Sequence, residues 1–378
     1  MRKTFKYRLY PNKAQTEALR GQLYEACRWY NAALQERREA YRTHRLSLNY
    51  YTQANQLKEI RDAGDLGLVN YHCAQDVLKR LDKAFKAFFR RIKHGQKPGF
   101  PRFKSSRRFD SITFPSHGDG NKLLERHLRI RGVGNVKIKL HRPLKGNIKT
   151  VTVKRECAAW YVCFSVECGT EPLPETNEQV GIDVGLTTFG TLAPTLYLKD
   201  IEEIPNPRFQ KKAERALRIA QRRLSRRPHK RSNGRRKAVM LLKKVHQRIF
   251  NQRNNFLHEE SRKIVDRFGV IYVEDLNFKG LAAGMLCKAV QDAGWSSFIT
   301  KIAYKAESAG RKLIQVDPRG TSQRCPCGAS VPKKLSDREH VCMECGLVGE
   351  RDQVSAMEIL RLGTSLHDAS TVQLAVLS

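Results

Sequence analysis

The sequence predicts a mixed α/β protein with several domains, and three observations support this fold class. The chain has 378 residues, which is enough for about two to three domains of roughly 150 residues each. Some segments alternate apolar and polar residues, as half-buried strands do, whereas others repeat apolar residues at helical spacing. Apolar residues make up 40% of the chain, so buried cores are expected rather than extended disorder.

The N-terminal part is predicted to begin with a strand that leads into helices. Residues 5–9 alternate apolar and basic side chains up to Pro11, which is the pattern of a half-buried strand. Asn12 then suits the N-cap of a helix whose apolar residues recur over 19–34. A second amphipathic helix, over 77–92, has lysine and arginine on its polar side. We therefore expect helices that pack by apolar faces and expose basic ones.

A β-rich region is predicted after a segment of glycine, proline and basic residues at 95–108. Strands are expected at 136–140 and 151–153, and the alternation over 160–166 indicates the return strand of a hairpin. Basic strands with interleaved aromatic residues suit nucleic-acid binding, although an ordinary half-exposed sheet has the same pattern. The acidic, proline-containing segment 171–175 is the best domain boundary.

The C-terminal part combines apolar strands with a strongly basic helical stretch. An apolar strand that contains Asp183 is predicted within 180–186, further strands at 187–192 and 270–274, and a helix after Trp295. Residues 208–253 contain 18 Lys or Arg and one acid, Glu214. Because apolar residues in this stretch keep helical spacing, two basic helices separated by a break at 228–234 are favoured over a disordered tail. We expect these helices to lie along a nucleic-acid duplex.

Charge indicates the class of partner that the chain binds. Its 71 Lys and Arg outnumber 37 Asp and Glu, giving a formal charge of +34 and a pI near 10.1. An excess of this size favours polyphosphate partners, because each neutralised phosphate releases condensed counterions. Composition alone leaves open a ribosomal-type basic protein without chemistry. No apolar run reaches membrane-span length and no apolar export segment follows Met1, so we expect a soluble, intracellular protein without a membrane partner.

Three acidic residues stand in contexts that suit a metal site. Asp183 lies in an apolar, glycine-flanked strand, Glu274 ends another apolar strand, and Asp352 opens a helical segment. Carboxylates at the ends of neighbouring strands converge, and three of them can hold two Mg²⁺ ions about 3.5–4 Å apart for phosphodiester hydrolysis. Each acid alone is more often a strand-end or turn residue than a ligand, so only their combination on a basic chain favours catalysis. Asp275 ranks lower, because strand alternation sends it to the opposite face.

Four of the ten cysteines form two close pairs, Cys325 with Cys327 and Cys342 with Cys345. In a chain without an export signal, this clustering favours a metal site over disulfides. The second pair has the C-x-x-C spacing that lets two thiolates bind one tetrahedral ion. The first pair is C-x-C, one residue short of the usual motif, so His340 could replace one ligand. Four protein ligands leave no open position, and the predicted Zn²⁺ is therefore structural.

In their order along the chain, these features resemble the TnpB family of transposon-encoded RNA-guided DNA nucleases, relatives of the type V CRISPR effectors. The resemblance covers most of the chain, and the ordered combination of its motifs is highly specific. The motifs are Phe5-Lys6-Tyr7-Arg8-Leu9-Tyr10-Pro11, Gly99-Phe100-Pro101-Arg102-Phe103, Gly181-Ile182-Asp183-Val184-Gly185, Glu274-Asp275-Leu276, Asp292-Ala293-Gly294-Trp295, Thr321-Ser322-Gln323 and Arg351-Asp352.

The resemblance implies a RuvC-like nuclease domain of RNase H-type fold, interrupted by a zinc-binding insertion. It also implies an N-terminal β-barrel wedge domain into which a helical recognition lobe is inserted. The corresponding segments are 1–11 for the first wedge strand, 12–95 for the recognition lobe, 96–172 for the remaining wedge domain, 173–320 for the nuclease domain, 321–349 for the zinc-binding insertion, and 350–378 for the last part of the nuclease domain and the tail. The sequence leaves open whether the tail after Leu362 is ordered.

The resemblance further implies an endonuclease that uses a guide RNA to cleave double-stranded target DNA beside a short flanking motif. Asp183, Glu274 and Asp352 would be its catalytic Mg²⁺ ligands, and Tyr51 and Gln75 would face the flanking motif. Such a protein is expected in the bacterial or archaeal cytoplasm, at the nucleoid, with a monomer favoured. Further nucleic-acid contacts are expected from Arg102, Lys104, Arg222, Arg223, Arg226, Lys243 and Lys244.

Two further departures from the family pattern lie at residues 350–356 and at residue 259. The third acid usually lies in Asp-Arg-Asp-x-Asn-Ala, whereas residues 350–356 read Glu-Arg-Asp-Gln-Val-Ser-Ala. The ligand is kept, but Ser355 cannot offer the amide of an asparagine. The lysine usual after Phe256-Leu257-His258 is replaced by Glu259.

Since all three acids are present, cleavage is favoured. The alternatives are a guided DNA-binding repressor without cleavage and a guide-independent transposase or recombinase.

Overall fold

The computed structural model describes residues 1–170, 172–229, 232–334 and 336–376, with the side chains of 369–376 left undescribed. The chain divides into two compact units, Met1–Gly169 and Thr170–Ser378. The division falls just before the acidic segment 171–175, of which Glu171 lies outside the described residues. The finer division into wedge, recognition and nuclease segments stays a prediction.

The first unit is built from one antiparallel sheet and three helices. Its elements are β1 (Arg2–Tyr10), α1 (Lys13–His44), α2 (Tyr50–Asp62), α3 (Tyr71–Lys93), β2 (Ser111–Phe114), β3 (Asn121–Leu123), β4 (His127–Ile130), β5 (Gly134–Lys139), β6 (Asn147–Glu156) and β7 (Ala159–Glu167). The strand order is β2-β6-β7-β1-β5-β4-β3, so the first strand of the chain lies in the middle of the sheet.

Local sequence signals explain how the chain leaves this sheet and enters the helices. The predicted strand and N-cap are confirmed: β1 ends at Tyr10, and the Asn12 side chain accepts a hydrogen bond of 2.8 Å from the Gln15 backbone N–H. Gln15 accepts in return from the Asn12 N–H, which completes a capping box. The predicted β6–β7 hairpin is also confirmed. No pairing of β2 with β3 is described in this unit, and barrel closure stays a prediction.

The second unit contains a mixed sheet, a helical layer and a small hairpin. Its elements are β8 (Gln179–Asp183), β9 (Thr188–Ala193), β10 (Glu202–Pro205), α4 (Phe209–Lys212), α5 (Glu214–Ser225), α6 (Asn233–Arg267), β11 (Val270–Glu274), α7 (Phe278–Leu281), α8 (Cys287–Ala293), α9 (Trp295–Ala309), β12 (Lys312–Val316), β13 (Glu339–Val341), β14 (Val348–Glu350) and α10 (Arg351–Val376). The main sheet has the order β10-β9-β8-β11-β12. β11 runs parallel to β8 and β12, whereas β9 is antiparallel to β8 and β10.

The basic stretch forms helices, as its apolar period predicts. α5 and α6 cover most of it, and α6 begins after the N-cap Ser232, whose side chain accepts from the Arg235 N–H at 3.2 Å. The predicted break therefore exists, although Lys230 and Arg231 within it lie outside the described residues. Over the described parts of the chain, none of the helices combines the length and apolar content that crossing a membrane requires.

Candidate active site and cysteine cluster

The main sheet of the second unit brings two of the predicted acids to one edge. β8 ends at Asp183 and β11 ends at Glu274, and these two strands are parallel neighbours whose last aligned pair is Ile182 with Val273. Both acids therefore follow directly after a buried aligned pair, at the carboxyl ends of adjacent strands. Side chains in such positions face a common crevice outside the sheet.

The third acid is brought to the same edge by the close packing of α10 on β8. A Cβ atom at Gly181 would collide with the backbone oxygen of Ala356 and contact the backbone nitrogen of Leu360 at 2.6 Å, so only glycine allows this approach. Asp352 lies one helical turn before Ala356, toward the end of β8. A Cβ at Gly185 would stand 3.5 Å from the Asp352 Oδ2 atom, so this carboxylate borders the loop after Asp183.

The electrostatics of the three acids indicate that they share one environment. All three are half-buried. Burial raises the pKa of Asp183 well above its usual range, and the negative charges of Glu274 and Asp352 raise it further. Burial also raises the pKa of Glu274. Like-charged carboxylates that oppose each other's ionisation form a site that favours a cation.

Thr321 is a partner of Glu274 that sequence reasoning missed. Its hydroxyl, on a buried side chain, is within hydrogen-bonding range of Glu274 Oε1 and of the Pro318 carbonyl oxygen, at 3.1 Å from the latter. The hydrogen bond to Glu274 lowers the pKa of that carboxyl against the effect of burial. Asp275, in contrast, is exposed and accepts a bond of 3.3 Å from Gln315, in agreement with its lower rank.

The four clustered cysteines meet in a group that could hold a metal ion. Their sulfur atoms all lie within 4.8 Å of one another, and within the described residues this is the one group of potential ligands to meet that spacing; the three acids do not. The Sγ atoms of Cys325 and Cys345 are 3.5 Å apart, and those of Cys327 and Cys342 are 3.7 Å apart. A tetrahedral zinc site with Zn–S distances of about 2.3 Å separates its sulfurs by about 3.8 Å. The C-x-C pair therefore fits.

Local backbone geometry favours the thiolate at Cys342. The backbone N–H groups of Cys345 and Glu344 donate toward its sulfur and lower its pKa to about 7. His340, the alternative ligand, is not a member of the group. It is buried, and its Nδ1 atom lies 2.5 Å from Lys333 Nζ.

Most of the predicted nucleic-acid contacts are exposed. Tyr51 is strongly exposed at the start of α2, and Gln75 is half-buried on α3, 3.2 Å from His72 Nδ1. Lys104 is partly engaged within the first unit, since its ammonium lies 4.3 Å from the centre of the Tyr30 ring. The remaining predicted residues are exposed: Arg102, Arg222, Arg223, Arg226, Lys243 and Lys244.

Asp292 connects the basic helices to the body of the second unit. The two oxygens of this buried carboxylate accept hydrogen bonds of 2.9 and 3.0 Å from the Gln210 N–H at the start of α4. The carboxylate also forms an ion pair of 2.8 Å with Arg253 on α6. The Asp292-Ala293-Gly294-Trp295 motif contains this acid, but its partners are 82 and 39 residues away. Its sequence context therefore gives no sign of the contact.

Comparisons with known proteins identify the family of the chain. Residues 160–284 match a family model described as a probable transposase, residues 295–359 match the Cas12f1-like TNB domain, and residues 1–45 match a helix-turn-helix domain. A Streptomyces pristinaespiralis protein named "Putative RNA-guided DNA endonuclease" is 31% identical over 96% of this chain and 90% of its own length. "Putative RNA-guided DNA endonuclease InsQ" of Escherichia coli K12 is 29% identical over 95% and 92%.

Among solved structures, the mini-RNA-guided endonuclease CRISPR-Cas_phi3 aligns with 96% of this chain and 92% of its own, at 11% identity and a TM-score of 0.48. The sequence matches assign the chain to a class of transposon-encoded proteins. The chain belongs to the TnpB family of RNA-guided DNA endonucleases, relatives of the type V CRISPR effectors, as its motifs predict.

Proposed function

We propose that this protein cleaves target DNA beside a short flanking motif, guided by an RNA, through phosphodiester hydrolysis that depends on two Mg²⁺ ions. The observation that carries the proposal is the convergence of Asp183, Glu274 and Asp352 at one sheet edge, where the charges of the other two acids raise the pKa of Asp183. This group stands in a chain of formal charge +34, where substrate phosphates are attracted. The sheet order and the parallel β8–β11 pair support a RuvC-like domain of RNase H type.

The donor set fits magnesium, which prefers carboxylate oxygen ligands and bridges phosphate. Asp183, Glu274 and Asp352 would hold the ions, which when bound supply an activated water and stabilise the leaving oxygen of the phosphodiester. Burial in the chain itself opposes ionisation of Asp183 and Glu274, and Thr321 favours the charged form of Glu274 by donating to its carboxylate. Half-burial leaves the three carboxylates accessible to a strand while reducing their contact with water.

The proposed division of labour places sequence recognition mainly in the guide. Base pairing between guide RNA and target strand supplies most of the specificity, and the protein holds the heteroduplex by its backbone. The exposed arginines of α5 and lysines of α6 would contact phosphates near the nuclease site. Tyr51 and Gln75 would face the flanking motif. The four cysteines would hold a structural Zn²⁺, and the first unit would supply the wedge domain and recognition lobe.

The experiment that tests this function is reprogramming. The protein is purified with its co-expressed RNA, the guide segment is replaced, and plasmids carrying either target are incubated with Mg²⁺. We expect cleavage to move to the new target beside the same flanking motif. Binding that moves without any cleavage would favour the guided repressor. Specific cleavage by material that contains no RNA would favour the guide-independent transposase or recombinase.

Replacing Thr321 by valine should weaken cleavage through Glu274. Without the hydroxyl, the pKa of Glu274 rises further, because a bond that favours its charged form is lost. Activity that requires the ionised acid should then appear at higher pH. The acidic limb of the pH–rate profile should move to higher pH, and at a given pH on that limb the rate should be about tenfold lower. Thr321→Ser keeps the hydroxyl and should retain the wild-type profile. An unchanged profile for Thr321→Val would remove Thr321 from this role.

Replacing Gly181 by alanine should displace α10 and with it Asp352. The new Cβ meets backbone atoms of α10 that cannot rotate away, and overpacking of this kind costs about 1–3 kcal/mol. We expect a lower free energy of unfolding and a loss of cleavage. Gly190→Ala on β9 is the matched control, since the nearest atom to its Cβ is the Asp183 carbonyl oxygen at an ordinary 3.6 Å. Equal denaturation midpoints for the two variants would contradict the packing argument.

A further inference from the structure

An aromatic surface lies on the first unit, formed by the C-terminal half of α3 and the loop after it. We call it the Phe89 surface, and its members are Phe85, Phe88, Phe89, Ile92 and Phe100. Phe89 is 57% exposed, Ile92 49% and Phe100 47%. Clustered large apolar side chains with this much exposure are typical of interaction sites.

The surface is held in place by packing and hydrogen bonds. The Phe100 ring stands at 88° to the Phe85 ring and 78° to the Phe88 ring, with centroids 5.5 and 5.3 Å apart. The loop behind it is fixed to α1 by paired hydrogen bonds of 2.8 Å between the Asn31 side chain and the Lys104 backbone. Pro101, next to Phe100, is buried. Phe100 is thus anchored on both sides while nearly half of its surface stays open.

The segment that contains the Phe89 surface, residues 83–104, has basic but no acidic side chains. Residues 83–104 contain eight Lys or Arg and no Asp or Glu. Lys86 pairs with Asp82 at 2.9 Å. In the part of the chain that the structure describes, Arg90, Arg91, Lys93 and Lys97 have no acidic partner. The occupant of this surface must therefore be both apolar enough to cover aromatic rings and negatively charged.

We infer that the Phe89 surface stacks unpaired bases of the guide RNA, an inference that rests on the proposed function. A nucleotide combines a flat apolar base with an anionic phosphate, which matches exposed rings bordered by free cations. Bases within a duplex have their faces covered, so a duplex can offer only its phosphates here. Guide RNA is the partner expected to bring unpaired bases, since single-stranded RNA segments are recognised by stacking on aromatic side chains.

Binding of a short RNA by the full-length protein tests the stacking step. The probes are a fluorescent 12-nucleotide oligouridylate and a 12-base-pair RNA duplex, compared by anisotropy at one salt concentration. We expect Phe89→Ala with Phe100→Ala to weaken oligouridylate binding about tenfold, the loss of roughly one stacked base, and to change duplex binding less than twofold. Phe89→Trp should keep the affinity. The control Tyr197→Ala removes a ring of similar exposure in the other unit and should have no effect.

Two results of this experiment would overturn the inference. Equal loss of single-stranded and duplex binding would mean that the surface contacts only the backbone. Unchanged binding of both probes would mean that the surface does not contact RNA. If gel filtration then showed a wild-type dimer and a monomeric double variant, the surface would be an interface between two copies of the chain. Thermal unfolding of the double variant checks that it is folded, and Phe89→Ala alone, which removes only an exposed side chain, should weaken oligouridylate binding in the same direction.

Ultraviolet crosslinking distinguishes guide RNA from DNA as the source of the bases. The protein is irradiated with its co-purified RNA and target DNA, digested with nucleases and protease, and analysed by mass spectrometry. We expect RNA adducts on the peptide that contains Phe89 or Phe100. Adducts with DNA alone, or RNA adducts only on other peptides, would overturn the assignment. Guided cleavage is scored separately, so a failure here leaves the proposed nuclease function intact.

Discussion

Asp183→Asn should reduce guided cleavage by at least about three orders of magnitude and leave guide and target binding within about twofold. The asparagine has nearly the same shape but cannot supply a negative oxygen, and loss of a group acting in the transition state lowers the rate without lowering affinity. The measurement is single-turnover cleavage in Mg²⁺ beside electrophoretic binding of the loaded complex. Simultaneous loss of cleavage and binding would mean that Asp183 has a structural role.

The stability of the same variant provides a control, because Asp183→Asn should lower the cleavage rate without lowering the melting temperature. The pKa of Asp183 is raised in the folded protein above its ordinary value of 3.8, so the folded state binds this proton more tightly than the unfolded chain. The associated stabilisation is present at low pH and is lost as pH rises through the raised pKa. In magnesium-free buffer at neutral pH, Asp183→Asn should therefore melt at the same temperature as the wild type or higher. A lower melting temperature would contradict the repulsion inferred at this site.

Cys342→Ser should abolish zinc binding and unfold the segment around β13 and β14. This segment has few buried side chains of its own, with Cys325, Ala329 and Cys342 forming its small cluster, so metal ligation is expected to supply most of its folding free energy. The measurements are zinc content by elemental analysis and hydrogen exchange over residues 321–349. We expect one zinc per chain in the wild type, none in the variant, and loss of protection in this segment.

Two control variants separate ligation from general damage. Cys287→Ser removes a half-buried cysteine outside the group and should keep the zinc. His340→Gln tests the alternative ligand and should also keep it, because the four sulfurs already complete a tetrahedral set. A protein that contains no zinc when purified, or one that loses zinc on His340→Gln alone, would contradict this assignment.

Much of the fold was predictable because it depends on local signals. Alternation gives β1 and β7, the Asn12 capping box begins α1, and helical apolar spacing distinguishes α5 and α6 from a disordered basic tail. The same apolar pattern puts Glu274 at the end of a strand, as observed, and Asp183 inside one, whereas β8 ends at Asp183. The family assignment came from the order of motifs, which the comparisons confirm.

The sequence could not predict contacts that join distant parts of the chain. The strand order that makes β8 and β11 neighbours depends on pairing between segments about 90 residues apart, for which no local signal exists. The approach of α10 depends on a missing side chain at Gly181, a residue that looks like any other strand glycine. Thr321 and Glu274 are 47 residues apart, and neither gives a sign of the other. Side-chain partnerships of this kind follow only from tertiary packing.

The most direct test of the central claim is the position of divalent ions in the RNA-loaded protein. Crystals grown with Mn²⁺ in place of Mg²⁺ allow these ions to be located from their anomalous scattering. We predict two peaks about 3.5–4 Å apart, ligated by Asp183, Glu274 and Asp352. Peaks at other acids, with these three carboxylates left without a shared ion, would contradict it.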